Sequence, residues 1–150
     1  MNCPRCPAPL KSDQHLGHAI LRCHECRGVL LEQKQLIPMM ERIGSILANK
    51  MDLSAPIPAV PGPSEIARCP RCKVAMESHG YMGSNLVFID RCSDCLLVWT
   101  DAAEMIAMAR MYAQSQGRID SRKQSFENQL DGMVGRAEAR ALNVPSLEEP

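Results

Sequence analysis

Apolar and polar positions alternate along two stretches of the chain in the pattern of short β-hairpins. Each stretch comprises two strand-like segments around a turn, and the clearest strand signal of the chain lies at residues 86–89. A short apolar run follows each hairpin, before the pattern changes to helical spacing. The predicted strands are residues 10–15 and 18–22 in the first hairpin, and residues 74–79 and 86–91 in the second.

Apolar residues at helical spacing predict an α-helix after each of these apolar runs. Pro38 lies in the first helical segment, so this helix either kinks at Pro38 or begins there and covers about residues 38–51. The second helix is predicted over residues 101–116, with Asp101 and Glu104 as a capping box at its start.

A third helix is predicted over residues 121–142, separated from the second by Gly117. Ser121 and Gln124 match a capping box at its start. Two glycines within this segment weaken the helix by roughly 1 kcal/mol each. Its apolar positions recur with helical period: Phe126, Leu130, Met133, Val134, Ala137 and Leu142.

The two hairpin-and-helix patterns are copies of one unit, and they divide the chain into four segments. The first unit covers residues 1–53, the second covers residues 67–117, and residues 118–150 contain the C-terminal helix and a tail. Residues 54–66 contain four prolines and are predicted to form an extended linker. The predicted fold is therefore a small α+β protein with two hairpin units, each followed by an α-helix, plus a C-terminal helix.

Eight cysteines, all in Cys-x2-Cys pairs, add candidate chemistry to this pattern. Two pairs flank each hairpin, with 16 residues between them in the first unit and 19 in the second. This spacing is typical of zinc sites, because each pair forms a tight turn and the hairpin brings the two turns together. The sequence predicts two structural Zn²⁺ ions with these ligands: Cys3, Cys6, Cys23 and Cys26 in the first unit, and Cys69, Cys72, Cys92 and Cys95 in the second.

Three other uses of the cysteines compete with this interpretation. Disulfides would suit a secreted chain, but no apolar signal segment precedes the first cysteine and no apolar run approaches the length of a membrane span. Redox chemistry needs one Cys-x2-Cys pair in a βαβ context, not four pairs around hairpins. A catalytic zinc keeps one coordination position open, whereas four thiolates close the shell. We expect a cytoplasmic protein that does not associate with membranes.

The charge of the chain gives little support to nucleic-acid binding. Seventeen basic residues balance seventeen acidic ones, and a zinc ion with four thiolates carries a net charge of about −2. Phosphate backbones are bound by clustered Lys and Arg, and base stacking needs aromatic side chains, of which this chain has five. The candidates for phosphate contacts are the arginines beside the cysteine pairs: Arg5, Arg22, Arg71 and Arg91.

The cysteine pairs and their neighbours resemble the bacterial zinc-ribbon family named after the transcription factor IIB zinc finger. The family pattern is Cys-Pro-x-Cys, a hairpin, then Cys-x2-Cys-Gly-Gly-Val-Trp-Leu-Asp and a Gly-Glu-Leu helix start. The first unit matches it at Cys3, Pro4, Cys6, Cys23, Cys26, Gly28, Val29, Leu31 and Leu36. The second matches it at Cys69, Pro70, Cys72, Cys92, Cys95, Val98, Trp99, Asp101 and Glu104. The resemblance covers about residues 1–42 and 67–110 and implies two tandem zinc ribbons, and the family name suggests transcription.

Several residues depart from the family pattern. In the second unit, Leu96 and Leu97 occupy the positions of the two glycines. In the first unit, Leu30 replaces the tryptophan, Glu32 replaces the aspartate and Gln35 replaces the glutamate. Because all the metal ligands are present, these differences alter the surface beside the sites and not the ligand sets.

The residue pattern favours a binding protein over an enzyme. The chain has no nucleophile–base pair, phosphate-binding loop or paired carboxylates in a catalytic context. Ten methionines, several on predicted helix faces, suit an adaptable protein-binding surface, although they could equally pack on their own ribbons. We expect a non-catalytic protein-interaction or adaptor module that binds a protein partner and self-associates through its methionine-rich helices. The alternative is a nucleic-acid-binding regulator associated with transcription.

Overall fold

A computed structural model of the chain describes residues 1–62 and 65–142, with side chains as far as residue 131. The predicted tail from residue 143 onward therefore lies outside the described residues. The chain divides into two compact units, Met1–Gln114 and Ser115–Pro150. Helix α2 (Ala102–Leu142) begins in the first unit, and its later part forms the described portion of the second.

An antiparallel sheet, with six strands in the described part of the chain, is the centre of the first unit. The strands lie in the order β1-β2-β3-β6-β5-β4. A turn of 3₁₀ helix, Tyr81–Gly83, lies between β4 and β5. The strands are β1 (Leu10–His15), β2 (His18–Cys23), β3 (Val29–Glu32), β4 (Glu77–Gly80), β5 (Phe88–Cys92) and β6 (Leu97–Thr100), and helix α1 covers Gln33–Ala48.

Strands β3 and β6 join the two hairpins in the middle of the sheet. Leu30 pairs with Trp99, and these residues occupy the same position in the two repeats. The neighbouring pairs follow in reversed order, Val29 with Thr100 and Leu31 with Val98. The junction therefore has an approximate two-fold axis at the Leu30–Trp99 pair, like the interface of a symmetric dimer formed within one chain. The sequence suggests two successive ribbons; the structure joins them in one unit.

Hydrogen bonds repeat at equivalent positions of the two hairpin units. The Cys3 N–H donates to the Ala8 carbonyl at 2.8 Å, and the Cys69 N–H donates to the Val74 carbonyl at 2.9 Å. The pairing of β2 with β3 sets Leu21 opposite Leu30, and the pairing of β5 with β6 sets Asp90 opposite Trp99. Leu21 and Asp90 therefore occupy equivalent positions in the two repeats, but Leu21 is apolar whereas Asp90 carries a carboxylate.

Helix α1 begins five residues before Pro38 and contains it. The Gln33 N–H donates to the Leu96 carbonyl at 2.8 Å, and the Glu32 N–H donates to Gln35 Oε1 at 3.2 Å. These bonds anchor the helix start at Gln33, where the sequence left open a start at Pro38. The proline removes one backbone hydrogen bond, a loss offset by the full burial of the adjacent Met39 on the same helix.

Helix α2 is continuous over Ala102–Leu142, so the predicted break at Gly117 and the separate third helix are not observed. A glycine inside a helix costs only roughly 1 kcal/mol, which is too little to end a helix by itself. The Ser121 hydroxyl donates to the Gly117 carbonyl at 2.7 Å, four residues back, instead of capping a new helix. Gln124, its predicted capping partner, donates to Asn128 Oδ1 at 3.2 Å.

The apolar core of the first unit forms two clusters, which strand alternation places on opposite faces of the sheet. One cluster combines sheet residues with the inner faces of α1 and α2, and the other surrounds the cysteines. Five methionines predicted on helix faces lie in the first cluster: Met39, Met40, Met105, Met108 and Met111. Within the described residues, no helix combines the length and the apolar character needed to cross a bilayer.

Candidate metal centres

The structure gathers the first four cysteines at one end of the β1–β2 hairpin. Cys3 and Cys6 precede β1, Cys23 ends β2, and Cys26 lies in the turn that leads to β3. Their four sulfur atoms lie within 4.8 Å of one another. The Cys3 and Cys26 sulfurs are 3.6 Å apart, and those of Cys6 and Cys23 are 3.4 Å apart. Residues from both cysteine pairs therefore meet at one point.

The second four cysteines form an equivalent cluster beside the β4–β5 hairpin. The sulfur atoms of Cys69, Cys72, Cys92 and Cys95 again lie within 4.8 Å of one another. Those of Cys72 and Cys92 are 3.5 Å apart. A metal with four thiolates at about 2.3 Å in a tetrahedron separates its sulfurs by about 3.8 Å, close to these distances. Each cluster could therefore hold one metal ion.

Backbone amides support the sulfur atoms in both clusters. The Arg5 N–H donates to Cys3 Sγ at 3.3 Å, and the Cys95 N–H donates to Cys92 Sγ at 3.4 Å. Such contacts orient the ligands of a metal and favour the thiolate form. The tight turn of each Cys-x2-Cys pair thus supplies the ligands and also the donors that stabilise their charge.

The pKa values of the thiols bear on how a metal ion would bind to each cluster. Burial raises the pKa of Cys23, but hydrogen bonds from the Cys26 N–H and the Cys6 side chain outweigh it and lower this pKa to about 7. Burial raises the pKa of other thiols above their ordinary value: Cys3, Cys26, Cys92 and Cys95. Since metal ligation requires thiolates, a metal ion must displace these protons, and its affinity must fall as pH falls.

Comparison with known proteins agrees with this reading of the first cluster. The two four-cysteine clusters could each hold a metal ion, an arrangement typical of zinc fingers. Residues 2–42 match the family described as "Transcription factor zinc-finger", which confirms the resemblance of the first ribbon. The second cluster, at residues 69–95, is compatible with a second copy. No curated protein and no solved structure matches the chain.

The two glycine positions of the family pattern differ between the repeats, and the second of them lies at the junction between the ribbons. Arg27 and Leu96, in the position of the first family glycine, both have positive φ, of 62° and 52°. Glycine adopts this conformation without steric cost. At the second glycine position, Gly28 lies directly under the Trp99 ring of the other repeat. Sequence reasoning does not find this contact, because the two residues are far apart in the chain.

Two of the four arginines considered for phosphate contacts bind other groups of the protein. Arg5 donates to the Asp90 carboxylate and to the Glu65 carbonyl. Arg22 Nε donates to Asp13 Oδ2 at 2.7 Å. Arg91 Nε is buried and has no hydrogen-bond partner among the described residues. The exposed Arg71 is therefore the one of these four arginines whose side chain is both open to solvent and without a hydrogen bond or ion pair among the described residues, which weakens the case for nucleic acid.

A buried carboxyl group lies at the start of α2, next to the ribbon junction. Glu104 Oε2 accepts the Asp101 N–H at 2.8 Å, and the Glu104 N–H donates to Asp101 Oδ1 at 2.8 Å, so the predicted capping box is present. Burial, with the charges of Asp101 and Asp90, raises the pKa of Glu104 to about 7 against the lowering effect of the Asp101 N–H. Burial also raises the pKa of Asp90, opposed by Arg5.

In the unmodified protein we expect the free energy of unfolding to fall as pH rises, and we expect Glu104→Gln to remove this fall. Because the folded-state pKa is raised, the folded protein keeps a proton that the unfolded chain releases, and the free energy of unfolding falls as pH rises toward 7. Between pH 6 and pH 8 this loss amounts to about 1 kcal/mol. Glutamine keeps the capping acceptor, as Gln35 does in α1. Urea unfolding at both pH values measures the difference.

The matched control for this experiment is Asp131→Asn, which neutralises an exposed carboxylate on the same helix. This control should keep the pH dependence of the unmodified protein. An equal loss of stability in the Glu104→Gln protein and in the unmodified protein would contradict the assignment.

Proposed function

We propose that this protein is a non-catalytic scaffold with two structural zinc ions that binds other protein chains, including a second copy of itself, through the later part of α2. The observation that carries the proposal is a row of large apolar side chains left exposed on that helix. Ile119 is 55% exposed, Phe126 is 60% exposed and Leu130 is 43% exposed.

Zinc is the metal that the ligand set favours. Four thiolates in a tetrahedral arrangement suit Zn²⁺, and the family that matches the first ribbon is described as a zinc finger. The four thiolates of each cluster would fill the coordination shell and leave no position for a reacting water or substrate. The proposed role of both ions is therefore to stabilise the ribbons.

The methionine content of the chain suggests that the methionine-rich helix faces bind a partner, but the burial of these methionines supports the later part of α2 instead. Met39, Met40 and Met108 are fully buried in the core of the first unit, so they are not available to a partner. Ile119, Phe126 and Leu130 of the later helix have no such cover among the described residues. We therefore assign the proposed interaction to residues 115–131 and not to the methionine-rich faces.

The spacing of these apolar side chains suits a parallel coiled coil. Ile119 and Phe126 are seven residues apart, and Leu130 follows four residues later, so they take heptad positions d, d and a. In this heptad Arg122 takes position g and Glu127 takes position e. Each Arg122 of a parallel pair would then face Glu127 of the other copy. The charge pattern thus supports a second copy as partner.

Sedimentation equilibrium of the zinc-loaded full chain tests self-association. We expect a dimer, and we expect Phe126→Glu to raise its dissociation constant at least tenfold, because a buried Phe contributes about 1.5–3 kcal/mol. Gln124→Glu is the matched control: it adds the same charge on the same helix but at heptad position b, away from the interface. A monomeric unmodified protein at about 100 μM, or equal effects of the two substitutions, would refute the proposed self-association.

A further inference from the structure

The two-fold relation of the ribbons creates two equivalent cavities on the cysteine side of the sheet. One has a volume of about 360 Å³ and is lined by Arg5, Trp99, Asp101 and Glu104, among others. The other has a volume of about 570 Å³ and is lined by the residues at the equivalent positions: Arg71, Leu30, Glu32 and Gln35. In each, an arginine from one ribbon lies beside the helix start that follows the other ribbon.

The chain's own linker lines the first cavity. Pro61 and Glu65 form part of its wall, and the Arg5 guanidinium donates to the Glu65 carbonyl. The same guanidinium binds the Asp90 carboxylate, which keeps the arginine across the cavity. The Val60 N–H donates to the Leu86 carbonyl at 2.7 Å, which fixes the linker beside the sheet. A proline-containing segment of the chain thus occupies this side of the ribbon pair.

The second cavity lacks both of these contacts. Leu21 lines it at the position equivalent to Asp90, so Arg71 has no carboxylate to hold it at that point. None of the described linker residues lines this cavity. Its floor is apolar, with Leu21, Leu30 and Leu97, and its rim carries the exposed Arg71. The carboxylates of Asp13 and Glu32 also line it, but they form ion pairs with Arg22 and Lys34, and Arg71 interacts with Glu32 only through its charge. The result is a larger groove with an apolar floor, a rim of mixed charge and an arginine that makes no hydrogen bond with a described residue.

We propose that the groove beside Arg71 binds an extended, proline-containing peptide segment of another protein, with a backbone carbonyl of the peptide accepting from Arg71. The equivalent groove supplies the template, because there a proline-containing segment offers a carbonyl to Arg5. Extended proline-rich segments present free carbonyls and lose little entropy on binding. The volume of about 570 Å³ is ample for a few peptide residues. This surface is additional to the helical surface proposed above and does not depend on it.

A synthetic peptide with the sequence of residues 56–66 of this chain is a suitable probe. We expect its addition to the ¹⁵N-labelled, zinc-loaded full chain to produce saturable amide shifts around Ser12, Leu30 and Leu97. Arg71→Ala should weaken binding about tenfold, as for loss of a charge-assisted hydrogen bond. Leu21→Asp should weaken it similarly, because the new carboxylate would hold Arg71 across the groove as Asp90 holds Arg5.

The control is Arg42→Ala, which removes an exposed arginine of α1 that does not line the groove and should leave the affinity unchanged. Each variant's amide spectrum shows whether its fold is intact. The proposal is overturned by the absence of saturable shifts, by shifts centred on Trp99 and Glu104 in the first cavity, or by equal affinity of the Arg71→Ala and unmodified proteins.

Discussion

A strong chelator at neutral pH is expected to unfold the sheet of the first unit, with loss of both strand and helix signals. Zinc sites of this kind contribute on the order of 10–16 kcal/mol of apparent binding free energy in small peptides. The whole free energy of unfolding of a small domain is only about 5–15 kcal/mol. Two such ions therefore supply more stability than the domain can lose and remain folded.

The packing around the cysteines explains why the effect should spread beyond the metal sites. Cys23, Cys69 and Cys92 are almost fully buried and share one apolar cluster with Leu30 and Trp99, the central pair of the ribbon junction. The start of α1 also depends on the turn beside the second cluster, through the Gln33–Leu96 hydrogen bond. Repulsion between metal-free thiolates, or their protonation, would disturb the junction and the first helix together.

Far-UV circular dichroism and Trp99 fluorescence during titration with chelator measure this expected unfolding. Cys23→Ser should give the same loss of dichroism signal through the first site, and its metal content should be lower by one ion. Ser93→Ala, in the exposed turn between Cys92 and Cys95, is the matched control and should keep both ions. Unchanged dichroism in the presence of excess chelator would contradict this expectation, because it would show that the apolar core keeps the protein folded without metal.

The second large effect is expected at Gly28, where a side chain would collide with the ring of Trp99. A Cβ atom at this position would lie 2.1 Å from Trp99 Cζ2 and 2.6 Å from Trp99 Cη2. The tryptophan is only 2% exposed and packs in the apolar cluster around the cysteines, so a shift of its ring would disturb that cluster. Gly28→Ala should therefore destabilise the protein by about 3 kcal/mol, at the upper end for an overpacked core.

The equivalent position in the other repeat indicates which second substitution should restore stability. In the two-fold relation of the ribbons, Leu97 is the position equivalent to Gly28, and Leu30 is the position equivalent to Trp99. Leu97 carries a full side chain, and the residue from the opposite ribbon is a leucine instead of a tryptophan. We therefore expect Gly28→Ala to cost little in a Trp99→Leu protein. The coupling energy of the double-mutant cycle should be about 2 kcal/mol in favour of the double variant.

Urea unfolding of the four proteins in this cycle gives the coupling energy directly. Gly117→Ala is the matched control, because a Cβ at Gly117 would have nothing within 4 Å and alanine has the higher helix propensity. That substitution should not destabilise the protein. Additive effects of Gly28→Ala and Trp99→Leu would disprove the proposed contact between the two positions.

This pairing also explains why the two repeats depart from the family pattern in opposite ways. The first ribbon keeps the second glycine and lacks the tryptophan, whereas the second keeps the tryptophan and lacks the glycine. Across the junction each large residue therefore meets a partner that accommodates it: Trp99 lies over Gly28, and Leu30 shares an apolar cluster with Leu97. In the sequence the same substitutions look like independent losses.

Local features of this protein follow from the sequence by itself. The two ligand sets depend on Cys-x2-Cys turns and hairpins, in which the interacting residues are close along the chain and the spacing limits the geometry. The first hairpin, with β1 at Leu10–His15 and β2 starting at His18, agrees with the alternating pattern for the same reason. The capping box of Asp101 and Glu104 is likewise local.

The tertiary structure alone decided how these local parts combine. The pairing of β3 with β6, the contact of Gly28 with Trp99, and the difference between the grooves of Arg5 and Arg71 all depend on residues that are far apart in the chain. Helical spacing indicates an apolar face but not what covers it, so burial of the methionines was decided only by packing against the sheet. Long-range pairing depends on complementary shape and charge between distant segments, which local periodicity does not encode.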